Sequence, residues 1–216
     1  MNDIPSGIVD LIERLGANGD WTIGEVVVTS DCTLRHHLDT SHDVATLSVM
    51  TWPEDARAIA QYDSDGKYRP LKTAPNLRRG WVLKLESAKD IRAALDFIYP
   101  AALGMYLSAL RGQITPVPFR ETLGRQTGMY RITQLTRDDQ ADELILSACN
   151  SENGCLRNLV WDLAPGRPQP LTTPLDVTWP THTIPLLCIE ACNLLVAACR
   201  PLGKSNLPPP SPPAAS

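Results

Sequence analysis

Two pairs of cysteines stand out in this sequence. Cys149 and Cys155 bracket five small or polar residues in "ACNSENGC", a C-x5-C spacing. Cys188 and Cys192 form a C-x3-C pair in "PLLCIEACNLL", with 32 residues between the two pairs. Four convergent thiolates repel one another and stay together only around a cation or a metal cluster. Zinc accepts four thiolates, but its usual turns are tighter than a five-residue spacer. A four-iron cluster is a larger body that suits longer spacers and ligands from separate elements. The remaining alternative is that each thiol is a small buried apolar residue. That is the expectation for Cys32, alone in "TSDCTLRHH", and for Cys199, in the apolar "LLVAACR".

The elements that must position these sulfurs follow from periodicity. "IPLLCIEACNLLVAACRPL" reads as one last helix, with Pro185 near its first turn and Pro201 near its end. On such a helix Cys188 and Cys192 share a face one turn apart, and its start offers a positive dipole end to a negative cluster. Cys199, a rival ligand, lies about 16 Å from Cys188 along that helix at 1.5 Å per residue, too far to join both pairs. The polar Asn150–Gly154 segment is expected to curl so that Cys149 and Cys155 point inward.

The rest of the chain frames this region. "GIVDLIERLG" places Ile8, Leu11, Ile12 and Leu15 on one face of a short amphipathic helix. Its early acids and broken apolar pattern do not read as a signal peptide. "GEVVVTSDCTL", "DVATLSVM" and "RGWVLKLES" read as strands, and Asp63-Ser64-Asp65-Gly66 as a hairpin turn in "AIAQYDSDGKYRPL". Residues from about 20 to 86 thus predict a small antiparallel sheet. "SAKDIRAALDFIYPAALGMYLSALRG" has helical spacing, with Ser87 as N-cap and a break at Pro100. "PVPFRETLGRQTG" and "TRDDQADELILSACN" read as further helices, and Leu171–Pro185 as an irregular crossing. The fold class is α+β: an antiparallel sheet domain over 1–128, a mainly helical cluster domain over 129–203, and a disordered Pro-rich tail over 204–216.

Composition narrows the functions. The 216 residues carry a net charge of −4 and 43% hydrophobic residues, ordinary for a globular protein without a basic field for nucleic acid. No apolar run approaches the roughly 20 residues of a membrane span. A cytoplasmic location is the default expectation, and disulfides are disfavoured there. We find no nucleophile–base pair, no Gly-rich phosphate loop and no paired carboxylates, so no self-contained catalytic site is expected.

The spacing C-x5-C…C-x3-C resembles the four-iron cluster signature of the sulfite and nitrite reductases, a resemblance confined to the cysteines. A longer one comes from "YRPLKTAPNLRRGW", "ALDFIYPAALGMY", "LRGQITPVPFRETLGRQTGMYR" and "CNSENGCLRNLVWDL". Together they resemble the C-terminal extension of long CbiX-type sirohydrochlorin (cobalt) chelatases, over residues from about 20 to about 200. In that family a chelatase unit is followed by a stabilising domain and a [4Fe–4S]-binding domain. The resemblance implies a [4Fe–4S] cluster held by Cys149, Cys155, Cys188 and Cys192. The chelatase unit has no counterpart in these residues, so the family's activity is not carried over. The resemblance implies a redox or accessory role in tetrapyrrole metabolism, with a separate CbiX-type chelatase or another tetrapyrrole enzyme as partner. The alternative is a structural or interaction protein in which a four-cysteine site, cluster or zinc, only staples the fold.

Other polar groups have weaker claims. His36 and His37, with Asp39, offer a metal site or a grip on a tetrapyrrole carboxylate; adjacent histidines at a strand end are more often surface residues. Arg78 and Arg79 offer the same grip, against the simpler reading of a solvated turn. Arg120, Arg125 and Arg131 read as a basic lip near the cluster or as surface charges paired with acids such as Glu121. Trp161 is expected to pack in the core or shield the cluster.

Overall fold

The computed structural model describes residues 3–39, 46–60, 77–149, 157–159, 161–162, 179, 181–188 and 191–206. For residues 129, 157–159, 161–162 and 193–194 it describes the backbone only. The architecture is α+β, with a mixed six-stranded sheet dominating the first half and helices the second.

Helix α1 (Ile8–Ala17) buries Leu11, Ile12 and Leu15, the face its spacing predicts. Ser6 and Arg14 clasp Asp10 at its start: Ser6 N–H donates to Oδ2 at 2.6 Å and Arg14 Nε to Oδ1 at 2.7 Å. Strands β1 (Trp21–Ile23), β2 (Val26–Val28) and β3 (Thr33–His36) follow as an antiparallel meander. "GEVVVTSDCTL" is therefore two strands rather than one. Its middle turns because the Thr29 hydroxyl oxygen accepts from Thr33 N–H at 3.2 Å while Cys32 takes the left-handed φ of 63°.

The sheet order is β4-β5-β3-β2-β1-β9, where β4 is Ser48–Met50, β5 is Trp81–Lys84 and β9 is Thr183–Ile184. The expectation of a purely antiparallel sheet is corrected at both edges. β4 runs parallel to β5, and β9 runs parallel to β1 with Thr22 opposite Thr183. Chain-neighbour hairpins are legible locally, but β9 arrives from far along the chain and its direction is set by tertiary packing. The flank "AIA" expected as a strand lies at the end of α2 (Ala56–Ile59), with Ala56 and Ile59 buried. The expected hairpin turn at Asp63–Gly66 lies outside the described residues.

Ser87 caps α3 (Ala88–Ile98): its hydroxyl oxygen accepts from Asp90 N–H at 3.3 Å. Pro100 ends this helix, Ala101 turns at a φ of 61°, and α4 (Ala102–Leu110) leaves at 108° to α3. Both pack on the sheet through Ile91, Leu95, Ile98, Leu103 and Tyr106. No single helix among the described residues is long and apolar enough to cross a membrane. Gly24, at a φ of +55°, lets the Tyr99 ring close on the sheet; a Cβ there would lie 2.6 Å from the Tyr99 hydroxyl.

The second apolar core is built from α5 (Phe119–Gly124), α6 (Asp138–Ala148) and α7 (Asn193–Ser205), with a 3₁₀ segment (Gly128–Leu135) against α5 and α7. Short strands accompany it: β6 (Val117–Pro118) pairs with β8 (Trp161–Asp162), and β7 (Arg157–Leu159) with β10 (Leu186–Cys188). β10 joins the two cores, since Leu186 belongs to the first and Cys188 to the second. Residues 183–186 thus complete the core of the amino-terminal sheet. The Pro-rich tail from 207 onward lies outside the described residues, whereas Lys204 and Ser205 still belong to α7.

Candidate metal centre

Three of the four proposed ligands are described, and each sits at the end of a different element. α6 starts with Asp138 and Asp139 at its positive end, while the Gln140 side-chain oxygen accepts from Arg137 N–H at 3.1 Å. Ala141, Leu144 and Ile145 seat the helix, and Cys149 is its C-cap, donating its N–H to Ile145 O at 2.9 Å. Cys188 closes β10, in register with Leu159. Cys192 is the N-cap of α7, and its Sγ accepts from Leu195 N–H at 3.5 Å.

This corrects the last helix. "IPLLCIEACNLLVAACRPL" is not one helix: β10 occupies Leu186–Cys188, and α7 begins only after Cys192. Cys188 and Cys192 are therefore not i,i+4 neighbours on a helix face; one comes from a strand end and the other from a helix cap. The apolar run satisfied helix and strand alike, and pairing with β7 decided for the strand. The helix start falls at Cys192 itself, so the positive dipole end points at a proposed ligand.

Cys149 and Cys188 are each 7% exposed, Cys192 is half-buried, and all three belong to one apolar cluster with Phe119, Leu144, Ile145 and Leu195. These sulfurs carry thiols, not disulfides. Cys155 and the expected curl of Asn150–Gly154 lie outside the described residues. Cys199 is fully buried in the same cluster, where burial pushes its pKa up and a Thr136 hydrogen bond opposes that shift. Cys32 packs at the edge of the first core, its pKa raised by burial and then by Asp31 and Asp90.

The arginines are held by their own surroundings. Arg120 Nε lies 2.8 Å from Asp138, and its NH2 donates to Gln134 O at 3.1 Å. Arg125 pairs with Glu121 at 3.6 Å, and Arg131 is exposed. Arg78 donates to Ala58 O at 3.1 Å, and Arg79 to Leu38 O at 3.1 Å and Asp39 Oδ1 at 3.3 Å. Trp161 contributes backbone to β8; the packing expected of its side chain lies outside what is described.

The histidines differ from a pair on the surface. His36 is 2% exposed, while its neighbour His37 is exposed. Burial pushes the His36 pKa below its ordinary value, with Glu25 opposing. Asp39, also buried, accepts from Gly80 N–H at 2.9 Å and lies 3.3 Å from Arg79 Nε, and it is not part of the donor group that the two histidines form. Its place is taken by Glu25, which sequence reasoning missed. Glu25 immediately precedes β2, one residue before Val26, which pairs with His36.

The donor chemistry fits an iron–sulfur cluster. Thiols from the ends of three separate elements belong to one apolar cluster, and one of them, Cys192, caps the amino end of α7. Comparison with known proteins agrees. Residues 11–107 match the model of the DR2241 stabilising domain, and residues 111–201 match that of the 4Fe–4S iron–sulfur cluster binding domain. The chain is an iron–sulfur protein whose cofactor is a [4Fe–4S] cluster. It is similar to DR2241 from Deinococcus radiodurans, whose crystal structure is described as a multi-domain protein with structural similarity to chelatases and two additional novel domains. That match has a TM-score of 0.65 and 29% identity, covering 89% of this chain and 40% of that one. The chain thus spans less than half of its structural relative. No curated protein matches it.

Proposed function

We propose that this chain is the iron–sulfur accessory part of a tetrapyrrole metal-inserting system. Cys149, Cys155, Cys188 and Cys192 would hold the [4Fe–4S] cluster. Bound there, the cluster supplies single-electron transfer. The observation that supports the ligand set is that Cys149, Cys188 and Cys192, from the ends of three elements, belong to one apolar cluster.

Each residue has a distinct task. Cys149 and Cys188, nearly fully buried, fix the inner side of the site. Leu195 N–H donates to the Cys192 sulfur and stabilises its thiolate, while the α7 amino end favours negative charge. Phe119, Leu144, Ile145 and Leu195 exclude water. Cys192 is the most exposed of the three, so an electron partner approaches from its side.

The partner is a separate chelatase unit of the CbiX type or another tetrapyrrole enzyme, in the cytoplasm. The support is the chelatase-like character described for the DR2241 relative, whose additional length this chain does not span. A staple reading is favoured by one feature: α6, β10 and α7 converge at this site, so a cluster would also cross-link them.

Metal and sulfide analysis of anaerobically reconstituted protein tests the ligand set. Cys149→Ser, Cys188→Ser, Cys192→Ser and Cys155→Ser are each expected to lose iron and sulfide together, while Cys32→Ser keeps both. A colourless protein with one zinc and no sulfide defeats the reading. Electron uptake measured with a partner chelatase separates the redox role from the staple.

A further inference from the structure

A second donor cluster lies on the six-stranded sheet. Glu25, His36 and His37 present ligand atoms that all lie within 4.8 Å of one another. Two of the three residues are buried or nearly so, with Glu25 at 9% and His36 at 2% exposure, whereas His37 reaches solvent. This is not a patch of surface acids.

The geometry is anchored on every side. Leu38 N–H donates to His36 Nδ1 at 3.0 Å, which leaves Nε2 facing Glu25 Oε1 at 3.7 Å. Leu77 N–H donates to Glu25 Oε2 at 2.9 Å, which turns the other oxygen toward the histidines. Tyr99 Oη accepts from Glu25 N–H at 3.0 Å, and His37 N–H donates to Glu25 O at 2.8 Å. The two imidazole rings stand 4.9 Å apart, tilted by 35°. The 3.7 Å gap between Nε2 and Oε1 is long for a hydrogen bond. It is close to the separation of about 3.4 Å between two ligands held at about 2.1 Å on a tetrahedral ion.

We propose that Glu25, His36 and His37 form a site for a divalent first-row transition-metal ion of the zinc or cobalt class, separate from the iron–sulfur cluster. The donor set is two imidazole nitrogens and one carboxylate oxygen, which suits these ions better than magnesium or calcium. A fourth position faces water on the His37 side, the arrangement of an open, exchangeable zinc site. The ion binds Nε2 of a neutral His36 as the ring proton moves from Nε2 to Nδ1, which releases the Leu38 N–H from that nitrogen. Glu25 offsets one of the two positive charges, and the open position takes water or hydroxide.

The test is equilibrium dialysis of the full, cluster-loaded chain against Zn2+ under anaerobic conditions, with zinc and iron counted together. One zinc per chain is expected beyond the cluster iron. The zinc X-ray absorption edge is expected to show nitrogen and oxygen neighbours only. His37→Ala, a change at an exposed side chain, should weaken zinc binding at least tenfold and leave the iron content unchanged. His182→Ala, at another exposed histidine, should bind as the parent does. No zinc bound by the parent, sulfur in the zinc shell, or unchanged affinity in His37→Ala would each overturn the site. The unchanged iron count keeps this result separable from the fate of the cluster reading.

Discussion

Gly203→Ala sets two effects against each other. In a free helix the change gains up to about 1 kcal/mol from reduced backbone entropy. Here Gly203 is buried where α7 crosses the 3₁₀ segment. A Cβ would lie 2.9 Å from the Ile132 carbonyl oxygen, 3.0 Å from its Cγ1 and 3.1 Å from its Cδ1. The two side-chain atoms can yield, but the oxygen belongs to the backbone and cannot swing away. Overpacking of this kind costs about 1–3 kcal/mol. The propensity gain is small so near the helix end at Ser205. The net expectation is a loss of about 1–2 kcal/mol, or about 2–8 °C in Tm for a chain of this size. Cys192 caps the other end of α7, so a poorly seated helix should also release iron faster to a chelator. Calorimetry of the cluster-loaded protein under argon gives the first readout, and timed iron release the second. A rise in Tm, the sign that propensity alone predicts, would refute the packing argument.

Other perturbations isolate single contacts. Tyr99→Phe removes the acceptor of Glu25 N–H and should cost about 1–3 kcal/mol in chemical denaturation, the penalty of an unsatisfied buried donor. Cys199→Ala should keep the full iron and sulfide content, because this thiol packs rather than ligates; loss of the cluster would make Cys199 a ligand. Arg14 and Ser6 hold the Asp10 carboxyl at about 2, down from 3.8. Its folded pKa is the lower one, so its support of α1 is complete above about pH 4 and is lost as the pH falls through 2. An NMR titration of Arg14→Ala should show the Asp10 midpoint moving back toward the ordinary carboxylate value.

What was legible in the sequence was local. Leu11, Ile12 and Leu15 fixed the α1 face by spacing, Ser87 announced α3, Pro100 ended it, and "WVLK" read as β5. What failed was non-local. The run from Pro185 to Pro201 carries no internal signal that Cys188 belongs to a strand, because its partner β7 begins at Arg157. β9 could not be placed, since its neighbour β1 lies at the other end of the chain. Residue type and spacing singled out Cys149, Cys188 and Cys192, which the fold places in one apolar cluster, while the elements that carry them were not legible. At the histidines the reverse held. Their identity was visible, but Asp39 lies nearer to them in sequence than Glu25, and its turn toward Gly80 and Arg79 depends on folding.

The central claim is that the four cysteines hold a single inorganic cluster. Native mass spectrometry of the anaerobically reconstituted chain measures this directly. The account predicts one species heavier than the bare chain by one four-iron, four-sulfide core, absent from Cys192→Ser. A chain carrying a single zinc, or an unchanged cluster mass in Cys192→Ser, would contradict it.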